Sequence, residues 1–227
     1  MEQKDVKSEF KETFYIYDER MLKHREFPKP QPDGRLVVNP EIPDRISRIH
    51  RYLEENGFLS KMDKLEVQGM DEIEGLLTKI HSQDLVDLVR NSCAKLGEGE
   101  GSQCCNPAVL EIYECKDSYE AALVSASAAV TGVRDILKGD HQRGYCIVRP
   151  PGHHAYHNQA SGFCFFNNAA LAAKIAIDQG LKKVCIFDWD IHHGDGTQSM
   201  FYNENGLLYV SLHRSDNLTF YPNKIEQ

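Results

Sequence analysis

Apolar residues recur at helical spacing over several stretches of the chain. Ile46, Ile49, Tyr52 and Leu53 repeat at intervals of three and four, Pro43 sits where a first helical turn accepts proline, and Gly57 closes the segment. A second helix is predicted from His81 to Cys93, with Leu85, Leu88 and Val89 on one face. Ser118 to Lys138 reads as a long Ala-rich helix stopped by Gly139, and its small residues suit close packing on a sheet. Asn168 to Gln179 reads as another, with Asn167 or Asn168 as cap and Gly180 as terminator.

Between these lie short apolar runs. Tyr145 to Val148, Val184 to Phe187 and Leu207 to Leu212 are predicted as buried strands. Buried strands alternating with helices predict an α/β fold, with a mainly parallel sheet covered on both faces. Ligands bind beyond the carboxyl ends of such strands. Elsewhere the pattern fades. Residues 1–12 read as a disordered leader, Tyr15 to Pro43 as a long Pro-rich surface loop, and Gly97 to Pro107 as an irregular Gly-rich loop.

Composition narrows the functional classes. A net charge of −8 leaves no bulk basic surface for nucleic acid. The apolar runs are too short to span a bilayer, and the polar N-terminus lacks the apolar core of a signal peptide. Seven cysteines, none in a C-x-x-C pair, read as free thiols in a reducing compartment, nucleus or cytoplasm.

Two polar clusters follow the predicted strands: Arg149-Pro150-Pro151-Gly152-His153-His154 and Asp188-Trp189-Asp190-Ile191-His192-His193-Gly194-Asp195-Gly196. Asp188, Asp190 and His192 recur at intervals of two, so an extended backbone points them one way. Carboxylate oxygen and imidazole nitrogen both reach zinc at about 2 Å. The adjacent His153 and His154 sit in a loop stiffened by proline, and Asp188 and Asp195 are carboxylates available to orient them. Two Asp–His dyads beside one metal make a workable amide hydrolase: the metal activates water and polarises the carbonyl, one imidazole removes a proton, and an imidazolium protonates the leaving amine. Of the aromatic residues between the clusters, Phe163, next to Gly162, is the expected channel wall, the others being core.

These segments, with Gly162-Phe-Cys-Phe-Phe-Asn-Asn168 between them, resemble the signature segments of zinc-dependent histone deacetylases, closest to the class II type. Tyr17-Asp-Glu-Arg-Met21, Pro40-Glu-Ile-Pro-Asp-Arg-Ile46 and Val210-Ser-Leu-His213 extend the resemblance from about Tyr15 to Pro222. It implies a three-layer arginase/deacetylase-like fold over 13–222, incomplete at the C-terminus, with 223–227 as a divergent tail. It implies Asp190 and His192 as zinc ligands, His154 as general base and acid, and His153 as its electrostatic neighbour. Asp188 is then the partner of His153, Asp195 that of His154, and Gly162 and Phe163 form the acetyl-lysine channel. Backbone carbonyls of Asp188, Asp190 and His192, with Ser211 and Leu212, match a structural potassium site. Acetylated histone tails or other acetyl-lysine proteins are the implied substrates, and corepressor proteins the implied partners.

The chain departs from the pattern at Ile42, where arginine is usual, and at Tyr156, where an acidic residue is common. The later segments that carry a third zinc ligand and a carbonyl-polarising tyrosine do not occur in these 227 residues, and Asp216 is the nearby carboxylate left to substitute. The resemblance therefore implies weak metal binding, weak or absent activity of this chain alone, and exposed apolar faces that favour aggregation. Two other readings stand beside it: a non-catalytic isoform that binds partners of the full enzyme, and a deacetylase of small acetylpolyamines.

Overall fold

The computed structural model describes residues 13–27, 33–35, 39–103, 112–216 and 219–222. The predicted leader, the 223–227 tail and Cys104-Cys105 lie outside the described residues. In chain order the elements are β1 (Thr13–Ile16), α1 (Asp44–Glu55), β2 (Asp63–Lys64), α2 (Ile73–Leu77), α3 (Gln83–Ala94), β3 (Gly101–Gln103), β4 (Tyr113–Cys115), α4 (Ser118–Lys138), β5 (Arg143–Cys146), α5 (Asn168–Asp178), β6 (Val184–Asp188), α6 (Asp195–Phe201) and β7 (Leu207–Ser211).

The α/β expectation holds, and most pairing is parallel. Strand order β2-β1-β5 forms one parallel sheet, β6-β7 a second, and β3-β4 an antiparallel pair. Helix α4 is the centre of the molecule. It packs against α5 and β5, and α5 in turn packs on β6. Its Ala and Ser positions are buried almost throughout, which lets the neighbouring helix approach closely, and Gly139 in the left-handed region ends it. Around it lies the main core, built from Leu85, Val86 and Val89 of α3, Ala122, Ala126 and Val130 of α4, Leu171 and Ile175 of α5, and Phe165 and Phe166.

Several sequence-based boundaries move, each for a local reason. Helix α3 starts at Gln83, because the Ser82 hydroxyl caps it by accepting from Leu85 N and His81 is drawn out into the site loop. Its buried face is Leu85, Val86, Val89 and Cys93, and Leu88 is exposed. The described residues of the Tyr15–Pro43 stretch do not form a surface loop. They contain the end of β1 and a 3-10 turn over Glu19–Lys23, and Tyr17, Met21, His24 and Glu41 are buried. The Gly97–Pro107 loop contains strand β3.

The strands expected to be buried differ most. Strand β5 begins two residues early, at Arg143, and is largely exposed. Strand β6 buries none of its residues fully; Cys185 and Phe187 are exposed, as is Leu208 of β7. Helix α5 packs on β6, but Cys185, Phe187 and Leu208 face away from it, so the apolar run here marks a face left open to solvent.

Candidate active site

The site forms where the loops after β5 and β6 meet, at the carboxyl ends of both strands. The β5 loop is held from below. Arg149, 1% exposed, grips Glu41 with two prongs, Nε donating to Oε1 at 2.8 Å and Nη2 to Oε2 at 2.7 Å. Its other donors reach the carbonyls of Met21 and His24 and the Tyr113 hydroxyl. For the Glu41 carboxyl, burial is outweighed by hydrogen bonds from His24 and Arg149, which hold it at about 2. The Arg149–Pro150 peptide bond is cis, and the Pro150 carbonyl accepts from Ser125 Oγ and Asn168 Nδ2. Helices α4 and α5 thus fix the segment just ahead of the two histidines.

Both predicted dyads are present. His153 Nδ1 lies 2.9 Å from Asp188 Oδ2, and His154 Nδ1 lies 2.7 Å from Asp195 Oδ1. An ionised carboxylate only accepts, so each Nδ1 carries a proton, and in the neutral ring Nε2 is then the acceptor. The two rings are 4.0 Å apart. Burial pulls the His154 pKa below the usual imidazole range, against the opposing pull of Asp195, which keeps the ring a neutral base. For Asp188, burial is outweighed by His153, the Asp190 N–H and Tyr209, which hold its carboxyl below the usual range.

Each carboxylate is also held by a phenol. Tyr209 OH donates to Asp188 Oδ2 at 3.0 Å, and Tyr156 OH donates to Asp195 Oδ2 at 2.6 Å. Tyr156, singled out in the sequence only as a departure, therefore orients the carboxylate behind His154. The Tyr156 backbone is positioned by His81, whose Nδ1–H donates to the Tyr156 carbonyl while Nε2 accepts from Asn167 N.

Asp190 and His192 project into the same cavity. His192 Nδ1 is 3.0 Å from Asp190 Oδ1, and Phe220 stacks on the His192 ring at 4.9 Å. Two donors about 2 Å from one zinc ion in tetrahedral geometry stand roughly 3.3 Å apart, so this pair fits as two zinc ligands. Among the described residues no group of three or more His, Cys, Asp or Glu comes together as a metal site. Asp216 is not a third donor: it is paired with Arg214 Nε at 2.7 Å. The expected potassium-site residues are close in space, since β6 pairs with β7 in register Asp188–Ser211 and Leu212 N donates to the Asp188 carbonyl at 2.9 Å.

The cavity holds about 390 Å³. His153, His154, Asp190 and His192 line it together with Gly162, Phe163 and Tyr221, and with Pro40, Glu41 and Arg45 from the first part of the chain. Gly162 and Phe163 lie where the sequence predicted, both with positive φ, 48° and 67°. A Cβ on Gly162 would stand 2.5 Å from the His154 ring, so only glycine fits there. Cys164, Phe165 and Phe166 point into the core instead. Sequence reasoning missed Tyr221, Glu41 and Arg45 as site residues. Their signal was faint: a carboxylate just ahead of a helix with a cation four residues on in its first turn, and one aromatic residue before a proline.

Comparison with known proteins agrees with this arrangement. Residues 39–227 match the histone deacetylase domain. The chain is 38% identical over 212 residues to histone deacetylase 5 of Arabidopsis thaliana, covering 91% of this chain and 30% of that protein. It is 33% identical over 228 residues to histone deacetylase HDA1 of Saccharomyces cerevisiae, covering 94% of this chain and 32% of that protein. The crystal structure of the HDA15 HD domain superposes with a TM-score of 0.84 at 35% identity, covering 95% of this chain and 56% of that one. The chain thus spans about a third of the length of these curated relatives. It carries their parallel α/β fold and, at the ends of β5 and β6, a pocket with two histidine–aspartate dyads: the chain belongs to the histone deacetylase family.

Proposed function

We propose that this chain carries the acyl-lysine pocket of a zinc-dependent lysine deacetylase acting on histone tails or other acetylated proteins. The observation that supports this best is the pair of Asp–His dyads opening onto the cavity shared with Asp190 and His192. In this reading Asp190 and His192 are two of the zinc ligands, and the third comes from outside the described residues. Bound zinc would supply Lewis acidity for the amide carbonyl and the attacking water. Phe163 and Tyr221 flank the acetyl-lysine side chain in the cavity. His154 Nε2 takes the proton from the attacking water and returns it to the lysine nitrogen as the C–N bond breaks. Asp195 and Tyr156 hold the ring at that task, and His153 with Asp188 stabilises the charge that builds up beside it. Backbone carbonyls of Asp188, Asp190 and His192, with Ser211 and Leu212, form a potassium site in this reading, bracing the β6 loop.

With two ligands among the described residues, the chain alone is expected to bind zinc weakly and to turn over slowly. Its partners are acetylated proteins and corepressors in the nucleus or cytoplasm, and with a net charge of −8 the chain is not steered to nucleic acid. No helix among the described residues is long and apolar enough to cross a membrane. The test is hydrolysis of an acetyl-lysine peptide by the purified chain with added zinc, against the His153→Ala/His154→Ala variant. Slow turnover above that blank, abolished by a chelator, is the expected result. Equal rates from both folded proteins would overturn catalysis by this chain alone. A non-catalytic, partner-binding role is favoured by the exposed Phe187, Trp189, Leu208 and Leu212 around β6 and β7. Partner capture that survives the double alanine change would support it.

A further inference from the structure

We propose that the hydrogen bond between Ser161 and Tyr221 is a specificity clamp: it couples the two aromatic walls of the pocket and sets the width of the slot that admits the acylated lysine. The inference rests on the acyl-lysine reading above and adds a determinant of acyl size to it.

Ser161 opens the tight turn that presents Phe163. Its N–H donates to the Cys164 carbonyl at 3.0 Å, and Cys164 N donates back to the Ser161 carbonyl at 2.8 Å. Within that turn Phe163 has a φ of 67°, a conformation a bulky L-residue adopts only when its surroundings enforce it. The Ser161 hydroxyl, in a residue 6% exposed, lies 2.9 Å from the Tyr221 hydroxyl. One wall of the slot is therefore tied to the base of the other.

The walls cannot close further. The Tyr221 ring meets the His154 ring edge-on, 4.9 Å away at 88°, and Gly162 lies close beside both. A Cβ at Gly162 would stand 2.5 Å from His154 and 2.8 Å from the Tyr221 hydroxyl. Packing against His154 limits inward movement of Tyr221, and the bond to Ser161 limits outward movement. A slot held from both sides discriminates by length and bulk, and one methylene in such a pocket is typically worth about 10–200-fold.

Removing the tether while keeping the ring separates this role from simple packing. Tyr221→Phe and Ser161→Ala each delete one hydroxyl. The measurement is fluorescence anisotropy of labelled peptides carrying acetyl-, propionyl- or butyryl-lysine, binding to the full chain with zinc present, after each variant's thermal melt has shown it folded. Wild type is expected to prefer acetyl over butyryl by roughly tenfold or more. Both single variants should cut that preference to within about threefold, and in Ser161→Ala, whose side chain does not line the cavity, acetyl binding should stay near the wild-type value. The double variant should shift no further, since one bond is being broken. Unchanged preference in the singles, or additive shifts in the double, would overturn the clamp. A wild-type chain that binds none of the acyl-lysine peptides would overturn the reading of the pocket, and the clamp with it.

Discussion

The two dyads look alike in sequence but are built into different surroundings. His154 and Asp195 lie inside the helical half, with side chains 4% and 1% exposed. Asp195 begins α6, accepts from Tyr156, and faces a ring whose loop is fixed by α4 and α5. His153 and Asp188 are 18% and 12% exposed, and Asp188 ends β6, a strand whose outer face meets solvent. A dry, rigid dyad can serve as a base of defined tautomer, because nothing competes with its carboxylate for the Nδ1 proton. A wetter dyad is better suited to supply charge than to time a proton transfer. The same division runs through the molecule: the side around α4 is packed and buried, and the β6–β7 side is apolar but open.

Breaking the dyads separately should give the largest contrast. In a deacetylase assay, Asp195→Asn is expected to lower kcat by about 10²–10⁴, the span typical of a lost general acid–base group. Asp188→Asn should lower it by no more than about tenfold. Equal losses from the two would remove the distinction between them.

Stability should divide in the same way. Arg149→Met leaves Glu41 buried without its two-pronged partner and is expected to cost about 3–5 kcal/mol in a urea melt. Arg149→Met with Glu41→Leu should recover most of that, since a packed apolar pair replaces a buried ion pair. A single variant that melts like wild type would mean the loop is held by something else.

A smaller effect should appear with pH. Burial holds His81 down to about 4 from its usual 6.5, while its two ring nitrogens serve Tyr156 and Asn167. Above the unfolded pKa the neutral ring contributes fully. As pH falls from 6.5 towards 4 the unfolded chain takes up a proton that the folded chain refuses, and about 3 kcal/mol is lost. Glu41 adds a further loss as pH falls from 4.5 towards 2. Denaturant melts at pH 7, 5.5 and 4 should show the first slope, and His81→Asn should flatten it.

The smallest effect is expected on the open side. Trp189 is 79% exposed and Phe187 50%. Trp189→Ser and Phe187→Thr should change stability by less than about 0.5 kcal/mol, and should raise the concentration at which the chain stays dispersed in light scattering. A destabilisation of about 2 kcal/mol would mean that this face is covered in solution.

Much of the site was legible because its chemistry is local. His153, His154, Asp190 and His192 sit in short segments whose residue types have few other uses, and each lines the cavity. Helix α4 was legible from cap to cap, since Gly139 and an unbroken Ala-rich stretch mark its limits. The hidden parts were those where one residue serves a distant one. Glu41 meets Arg149 across 108 positions, and Tyr156 meets Asp195 across 39. Spacing along the chain carries no trace of such pairs. The strands β5 and β6 misled for a related reason: Tyr145 and Phe187 read as buried because apolar runs usually are, and both are exposed.

The sequence by itself determined which groups are present, most helix limits, and that four histidines and three aspartates stand after apolar strands. Those are properties of neighbouring residues, governed by local propensity and capping. Only the tertiary structure decided that Tyr156 and Tyr209 brace the dyad carboxylates, that Tyr221 closes the slot, and which apolar runs stay wet. Each of these depends on contacts between segments far apart in the chain, and burial is set by what packs on a face rather than by the residues that form it.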